Sequence, residues 1–270
     1  RNVLPHDFDV ATDADPDQII GIFPKTIEVG KAFGVVRVVA PQGFDIEVAT
    51  FRKDGPYSDG RRPDSVTKST PEEDAKRRDF TINALFMDPA TGAIHDFVGG
   101  QNDLEKKIIR AVGDPLKRFQ EDKLRILRAV RFLSQLGFPI EENTKNALTV
   151  VAKDLAVVSP ERIEAEMTKL FAGPHVEDSL LLLEKSQIRS VLFPKLKVPD
   201  LKKVAKTVGH ANQQALCWLL FLGDHEKLMV EMMDHLHFSN KLKETFLRAQ
   251  QLQSKLKVFL LLPKSQQLRL

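Results

Sequence analysis

The periodicity of the chain changes once, near residue 100, and that change limits its fold most. Before it, residues 35–40 (VVRVVA) and 44–51 (FDIEVATF) are short β-branched stretches joined by Pro41-Gln42-Gly43, the pattern of adjacent strands with a turn between them. Thr70-Pro71-Glu72-Glu73 combines a capping hydroxyl, a proline at the first helical position and an acid at the third, and predicts a helix from about residue 71. Residues 53–69, rich in Gly, Pro, Ser, Asp and Arg, read as a mobile loop. From about residue 102 strand signals fade. Pro115 is expected to open a long helix running through Leu136 to Gly137, and Ser159-Pro160-Glu161 another. Apolar residues then recur at helical spacing, with breaks near Gly173-Pro174, 194–199, Gly223 and Ser239. The expected class is therefore α+β, with the sheet confined to the first hundred residues. The expected divisions are a head over 1–98, a helical neck over 99–172 and a helical body and tail over 173–270.

Composition narrows the setting. In 270 residues, 29% are charged and no stretch approaches a membrane span, so a soluble chain is expected. The single cysteine, Cys217, can form no internal disulfide and is read as a packed thiol in a reducing cytoplasm. Residues 195–270 hold 13 Lys and Arg against 6 Asp and Glu. A basic tail of this kind suits a polyanion such as RNA.

Three short stretches carry the chemistry. In His6-Asp7-Phe8-Asp9-Val10 the two carboxylates are two residues apart, so in a strand they share a face, with Phe8 and Val10 on the other. Apolar flanks imply burial, and a buried charge needs a partner. Carboxylates so placed suit Mg²⁺, which takes carboxylate oxygens together with substrate phosphates. Two ions there would activate an attacking 3′-hydroxyl and stabilise leaving pyrophosphate. Glu47 offers a third carboxylate from a neighbouring strand, with Asp45 on the same face as its rival. In Arg77 to Asn83, the second stretch, Asp79 and Asn83 are four apart within the helix capped at Thr70 and are expected to share a face. Asp79 would accept from ribose hydroxyls, Asn83 would donate to phosphate or ribose, and Arg78 would fork onto the triphosphate. In Glu121-Asp122-Lys123-Leu124-Arg125, Asp122 and Arg125 are three apart on the long helix. Aspartate accepts and arginine donates. Adenine and cytosine each present an amino donor beside a ring-nitrogen acceptor, so this pair matches A and C and rejects G and U without a nucleic-acid template. Arg128 and Arg131 continue at spacing of three and are assigned to phosphate, while Glu121 and Arg162 are read as buttresses of the reader.

Other features read as structural. Phe132, Phe138, Phe171 and Phe193 sit at core positions, and Asp224-His225 and Asp234-His235 are expected on helix surfaces.

The same residues resemble the family of class II tRNA nucleotidyltransferases and bacterial poly(A) polymerases. The similarity rests on Asp7 to Ala14, Glu47 to Arg52, Arg77 to Ala84, Asp96 to Gly100 with Asp103-Leu104, Glu121 to Phe132, and Ser159 to Ile163. It is strong over residues 5–172 and faint beyond, at Leu236 to Lys241. The resemblance implies a polymerase-β-like head followed by helical neck, body and tail. It implies Mg²⁺ as metal, ATP and CTP as substrates and the tRNA 3′ end as partner. It also implies Asp7 and Asp9 as metal ligands and Asp122 and Arg125 as the amino-acid template. The family carries a Gly-Gly-x-Val-Arg-Asp segment ahead of the aspartates. None precedes Asp7 here, and the expectation is that a first strand and helix lie outside this sequence. Lys53 to Pro63 resembles the loop of members that add A. Full CCA addition is thus the first expectation. A-only addition, poly(A) synthesis, and a non-catalytic RNA-binding module with a degenerate head are the alternatives.

Overall fold

The computed structural model describes residues 9–28, 30–40, 45–194, 218, 221, 226–240, 242–248 and 251. The chain divides into two compact units, residues 1–122 and 123–270. The division falls inside the stretch expected to be the neck.

The first unit is built on a four-stranded sheet, with strands β1 (Asp9–Thr12), β2 (Thr26–Ile27), β3 (Val35–Val39) and β4 (Asp45–Thr50) in the order β1-β4-β3-β2. β1 runs parallel to β4, and the β2–β3 and β3–β4 pairs are antiparallel. Alternation along the strands sorts the two faces. Val36, Val38 and Val48 turn inward onto Ile19 of helix α1 (Pro16–Ile22), with Ala14, Ile20 and Ile46 packed around them. Arg37, Asp45 and Glu47 belong to the opposite, open face. One side of the sheet therefore makes the core and the other is left for chemistry.

Residues 53–69 are expected from composition to be loop, and strand pairing closes the two ends of the stretch. β5 (Arg52–Asp54) and β6 (Val66–Lys68) pair as a hairpin stem, and Gly55 N donates to Ser65 O at 2.8 Å. Helix α2 (Pro71–Lys76) starts where the capping pattern placed it, with Thr70 Oγ1 accepting from Glu73 N at 3.3 Å. A second hairpin, β7 (Leu85–Met87) with β8 (Ile94–Asp96), precedes α3 (Gly100–Glu105) and α4 (Pro115–Glu121).

The long helix expected from Pro115 to Leu136 is two helices. α4 stops at Glu121, Asp122 is extended (φ −137°, ψ 106°), and α5 covers Leu124–Leu136. No proline or glycine marks this break, which is why composition does not disclose it.

The second unit is mainly helical over its described residues, with α5, α6 (Glu142–Val150), a 3-10 helix (Ala152–Val157), α7 (Pro160–Phe171), α8 (Val176–Lys185), α9 (Ile188–Leu192) and α10 (Glu226–His235) among its elements. Phe138, Phe171 and Phe193 are buried as expected, Phe132 only partly. Phe171, Phe193, Trp218, Phe221 and Phe238 form an edge-to-face cluster with centroids 5.0–6.2 Å apart. Asp234 and His235 are exposed, as expected; Cys217, Asp224 and His225 lie outside the described residues. Among the described residues no helix is long and apolar enough to cross a membrane.

Gly173 sits where the chain leaves α7 against α5. A Cβ there would lie 2.2 Å from Ser134 Oγ and 2.5 Å from Ser134 O. The serine is itself fixed, donating to Leu170 O at 2.6 Å and accepting from His175 N at 2.9 Å. Gly173→Ala is expected to lower stability by about 3 kcal/mol through overpacking. Urea unfolding monitored at Trp218 checks this, and an unchanged midpoint would contradict the close approach.

Candidate active site

Strand register assembles the carboxylates. Asp9 of β1 lies directly opposite Glu47 of β4, and Glu47 directly opposite Arg37 of β3. Adjacent strands are about 4.8 Å apart, so an acid, an acid and a guanidinium form a row across the open face. Arg37 Nη2 is 3.7 Å from Glu47 Oε1, and its Nη1 is 3.7 Å from Asp45 Oδ2. Asp7 and His6 lie outside the described residues. The burial expected of the flanking apolar residues does not hold at Val10, which is 45% exposed, because β1 forms an edge of the sheet among the described strands. Among the described residues no three His, Cys, Asp or Glu side chains cluster closely enough to hold a metal ion. Asp9 and Glu47 nevertheless supply hard carboxylate oxygens from adjoining strands in register, the donor type that Mg²⁺ takes.

Beside this sheet, the second stretch is organised by a residue that sequence reasoning passed over. Asp74 is 1% exposed and gathers two arginines. Its Oδ1 accepts from Arg77 Nε at 2.9 Å and Nη2 at 2.7 Å. Its Oδ2 accepts from Arg78 Nε at 3.1 Å and pairs with Nη2 at 2.9 Å, while Arg52 N donates to Oδ1 at 3.2 Å. The sequence shows acids just upstream of two adjacent arginines, a spacing that does not single Asp74 out from Glu73. Burial lowers the proton affinity of Arg77 below its ordinary value, and the negative charge of Asp74 works against that shift. Arg78 also lies over the Phe86 ring, 5.5 Å from its centroid.

Asp79 and Asn83 meet, but not on a helix. α2 ends at Lys76, and Thr81–Asn83 form a separate 3-10 turn. Asn83 Nδ2 donates to Asp79 Oδ1 at 3.1 Å, as does Phe80 N at 2.8 Å. The segment is pinned from behind, with Thr81 N donating to Arg110 O and Val112 N to Asp79 O. Thr81 Oγ1 donates to buried Asp103 at 2.7 Å, and Arg110 Nε donates to the same carboxylate at 3.0 Å. Asp96 takes backbone N–H bonds from Val98, Gly99, Gly100 and Gln101 at 2.8–3.2 Å. Burial raises its carboxyl, but these donors outweigh it and hold the group below its ordinary value. Gly100 has no room for a side chain, since a Cβ would meet Thr81 O at 2.2 Å. The Asp96-to-Asp103 motif thus braces the Asp79 segment.

The third stretch spans the break after α4. Asp122 closes the first unit in an extended conformation, and buried Arg125 lies in the first turn of α5. A shared helix face therefore does not relate them. Glu121 accepts from Arg118 Nη1 at 2.8 Å, and Arg118 Nη2 donates to Lys76 O at 2.8 Å, which joins α4 to α2. Arg118 was not singled out from sequence. A cavity of about 170 Å³ between the hairpin stem, α2 and α4 is lined by Lys53, Asp54, Tyr57, Arg77, Arg118 and Glu121 among others. Arg128 and Arg131, expected on phosphate, both turn to buried Glu166 of α7, at 3.9 and 3.2 Å. Arg131 is itself buried and lies 4.2 Å from the Phe132 ring centroid, which makes it a brace between α5 and α7. Arg162 is half-buried in the first turn of α7.

Known proteins are similar to this chain in sequence and in fold. The Poly A polymerase head domain matches residues 2–110, and the family described as "Probable RNA and SrmB- binding site of polymerase A" matches residues 137–198. The CCA-adding enzyme of Geobacillus thermodenitrificans strain NG80-2 is 51% identical over 187 residues, 69% of this chain and 46% of its own. That of Oceanobacillus iheyensis is 51% identical over 176 residues, 65% and 44% of the two chains. The crystal structure of Bacillus stearothermophilus CCA-adding enzyme in complex with CTP superimposes with a TM-score of 0.73 at 35% identity, covering 92% of this chain and 61% of that one. Thermotoga maritima CCA-adding enzyme shares the fold, with a TM-score of 0.68 at 23% identity over 90% and 60% of the two chains. The chain spans about half the length of the curated relatives it matches. With its polymerase-β-like head and helical second unit, this chain belongs to the family of CCA-adding enzymes and poly(A) polymerases.

Proposed function

We propose that the chain is the nucleotidyl-transfer portion of a template-independent enzyme that adds C and A to the 3′ end of tRNA from CTP and ATP, releasing pyrophosphate. The carrying observation is the register that sets Asp9 against Glu47 on the open face of the sheet. Relatives named CCA-adding enzymes and a solved complex with CTP support the substrate class. A cytoplasmic setting fits tRNA maturation.

Asp9 and Glu47, with Asp7, would hold Mg²⁺, which when bound supplies charge neutralisation at phosphate oxygens and favours ionisation of the attacking hydroxyl. The remaining work belongs to the chain. Asp74 grips Nε and Nη2 of Arg78, so Nη1 is the edge that would meet triphosphate, with the fork geometry arginine provides. Asp79 is oriented through Asn83 and the Phe80 amide and would accept from ribose hydroxyls. Asp122 would accept from the amino group of C or A while Arg125 donates to the ring nitrogen. With protein groups doing the reading, no template strand is required. Arg128 remains a candidate for phosphate, and Arg131 is assigned to support.

The double variant Asp122→Ala/Arg125→Ala is expected to lose the preference for A and C over G and U by about 10²-fold, the scale of two hydrogen bonds left unmade. Competition of all four triphosphates on one RNA primer measures it. Preserved discrimination would remove these two residues from the reading role.

A further inference from the structure

The open face carries a cation that none of the roles above uses. Arg37 stands in the middle of the acid row, opposite Glu47 in register, with one guanidinium nitrogen on Glu47 and another on Asp45, each at 3.7 Å. These separations are those of ion pairs rather than tight hydrogen bonds. All three side chains are partly exposed, at 33%, 48% and 53%. Asp45 and Glu47 are two residues apart on one strand face, and Asp9 adjoins Glu47 on the next strand. Without Arg37 the described part of this face would carry three carboxylates and no balancing charge.

We propose that Arg37 is an internal counter-cation that sets the affinity of the Asp9–Glu47 pair for divalent metal. This rests on the metal role proposed above for that pair. The guanidinium holds Glu47 with Nη2 and Asp45 with Nη1. A metal ion arriving at Asp9 and Glu47 requires Arg37 to release only one of its two partners, and Asp45 retains it. The handover is driven by the incoming charge. Asp45 is then not a third metal ligand but the residue that receives Arg37. The arrangement weakens metal binding when no nucleotide is present, because a fixed positive charge within a few ångströms repels a divalent ion.

The test is Mn²⁺ binding to the full chain at constant ionic strength, read as free Mn²⁺ by electron paramagnetic resonance. Arg37→Val, which suits a strand, is expected to tighten Mn²⁺ about tenfold, the order given by one unit charge at this range in a high-dielectric surface. Asp45→Asn is expected to weaken it several-fold, and Arg37→Lys to stay close to the parent. In the Arg37→Val background the effect of Asp45→Asn should shrink, because the part exerted through Arg37 is gone and only the loss of its own charge remains. Additive shifts in that cycle, or no shift in Arg37→Val, overturn the proposal. Asp9→Asn separates the two levels. If it abolishes Mn²⁺ binding while Arg37→Val changes nothing, the metal reading stands and the Arg37 proposal falls. If Asp9→Asn binds Mn²⁺ as well as the parent, or the parent binds none, both fall.

Discussion

Asp9→Asn is expected to reduce nucleotide incorporation by about 10³-fold or more while leaving the fold and RNA affinity almost unchanged. The rate effect follows from the loss of a charged ligand where the metal contribution to transfer is several kcal/mol. The fold is spared because Asp9 is exposed, on a strand at the sheet edge among the described residues, and asparagine is close to isosteric. Substitutions of this kind stay within about 0.5 kcal/mol. RNA affinity is spared if the basic residues over 195–270, which suit a polyanion, carry it. Single-turnover extension and filter binding on the same preparation separate these effects. Parallel losses of rate and RNA affinity would contradict the metal role.

Asp74→Ala is expected to damage both stability and nucleotide use. It leaves Arg77 and Arg78 facing a hole where a buried carboxylate had accepted from both. Breaking a buried pair by deleting one member costs about 3–5 kcal/mol, and the partial exposure of Arg78, 30% by side chain, places this case near the lower end, about 3 kcal/mol. Arg78 would also lose its orientation, so KM for CTP and ATP should rise at least tenfold with a smaller change in kcat. Asp74→Asn keeps one acceptor oxygen and should recover about half of the stability. A stable Asp74→Ala variant with unaltered KM would show that Asp74 does not orient Arg78 for the triphosphate contact proposed for it.

How far the sequence discloses this site depends on whether local chemistry or distant packing sets each element. The strands at 35–39 and 45–50 and the start of α2 are legible because β-branched alternation and the Thr70-Pro71 cap are local signals. The parity rule that put Asp45 and Glu47 on one face also holds. Two helical assignments fail. Asp79 and Asn83 meet through a 3-10 turn held by backbone bonds from residues 110–112, and the chain breaks at Asp122 without a Pro or Gly. At the first of these, tertiary hydrogen bonding overrides a helix-compatible sequence. The Asp74 hub and the turn of Arg128 and Arg131 to Glu166 depend on which side chains become buried together, which spacing alone does not encode. Asp7 and most of the basic tail lie outside the described residues, so their expected roles rest on the sequence.

The most direct measurement supplies the chain with Mg²⁺ and tRNA transcripts ending before CCA, after the first C and after CC, each with ATP, CTP or both. Products are sized at single-nucleotide resolution. The shortest transcript is expected to grow by C, C and A and then stop. A single A on the CC-ending transcript alone would make it an A-adding enzyme, and a long A ladder a poly(A) polymerase. No extension of any transcript, with RNA still bound, would contradict nucleotidyl transfer by this chain.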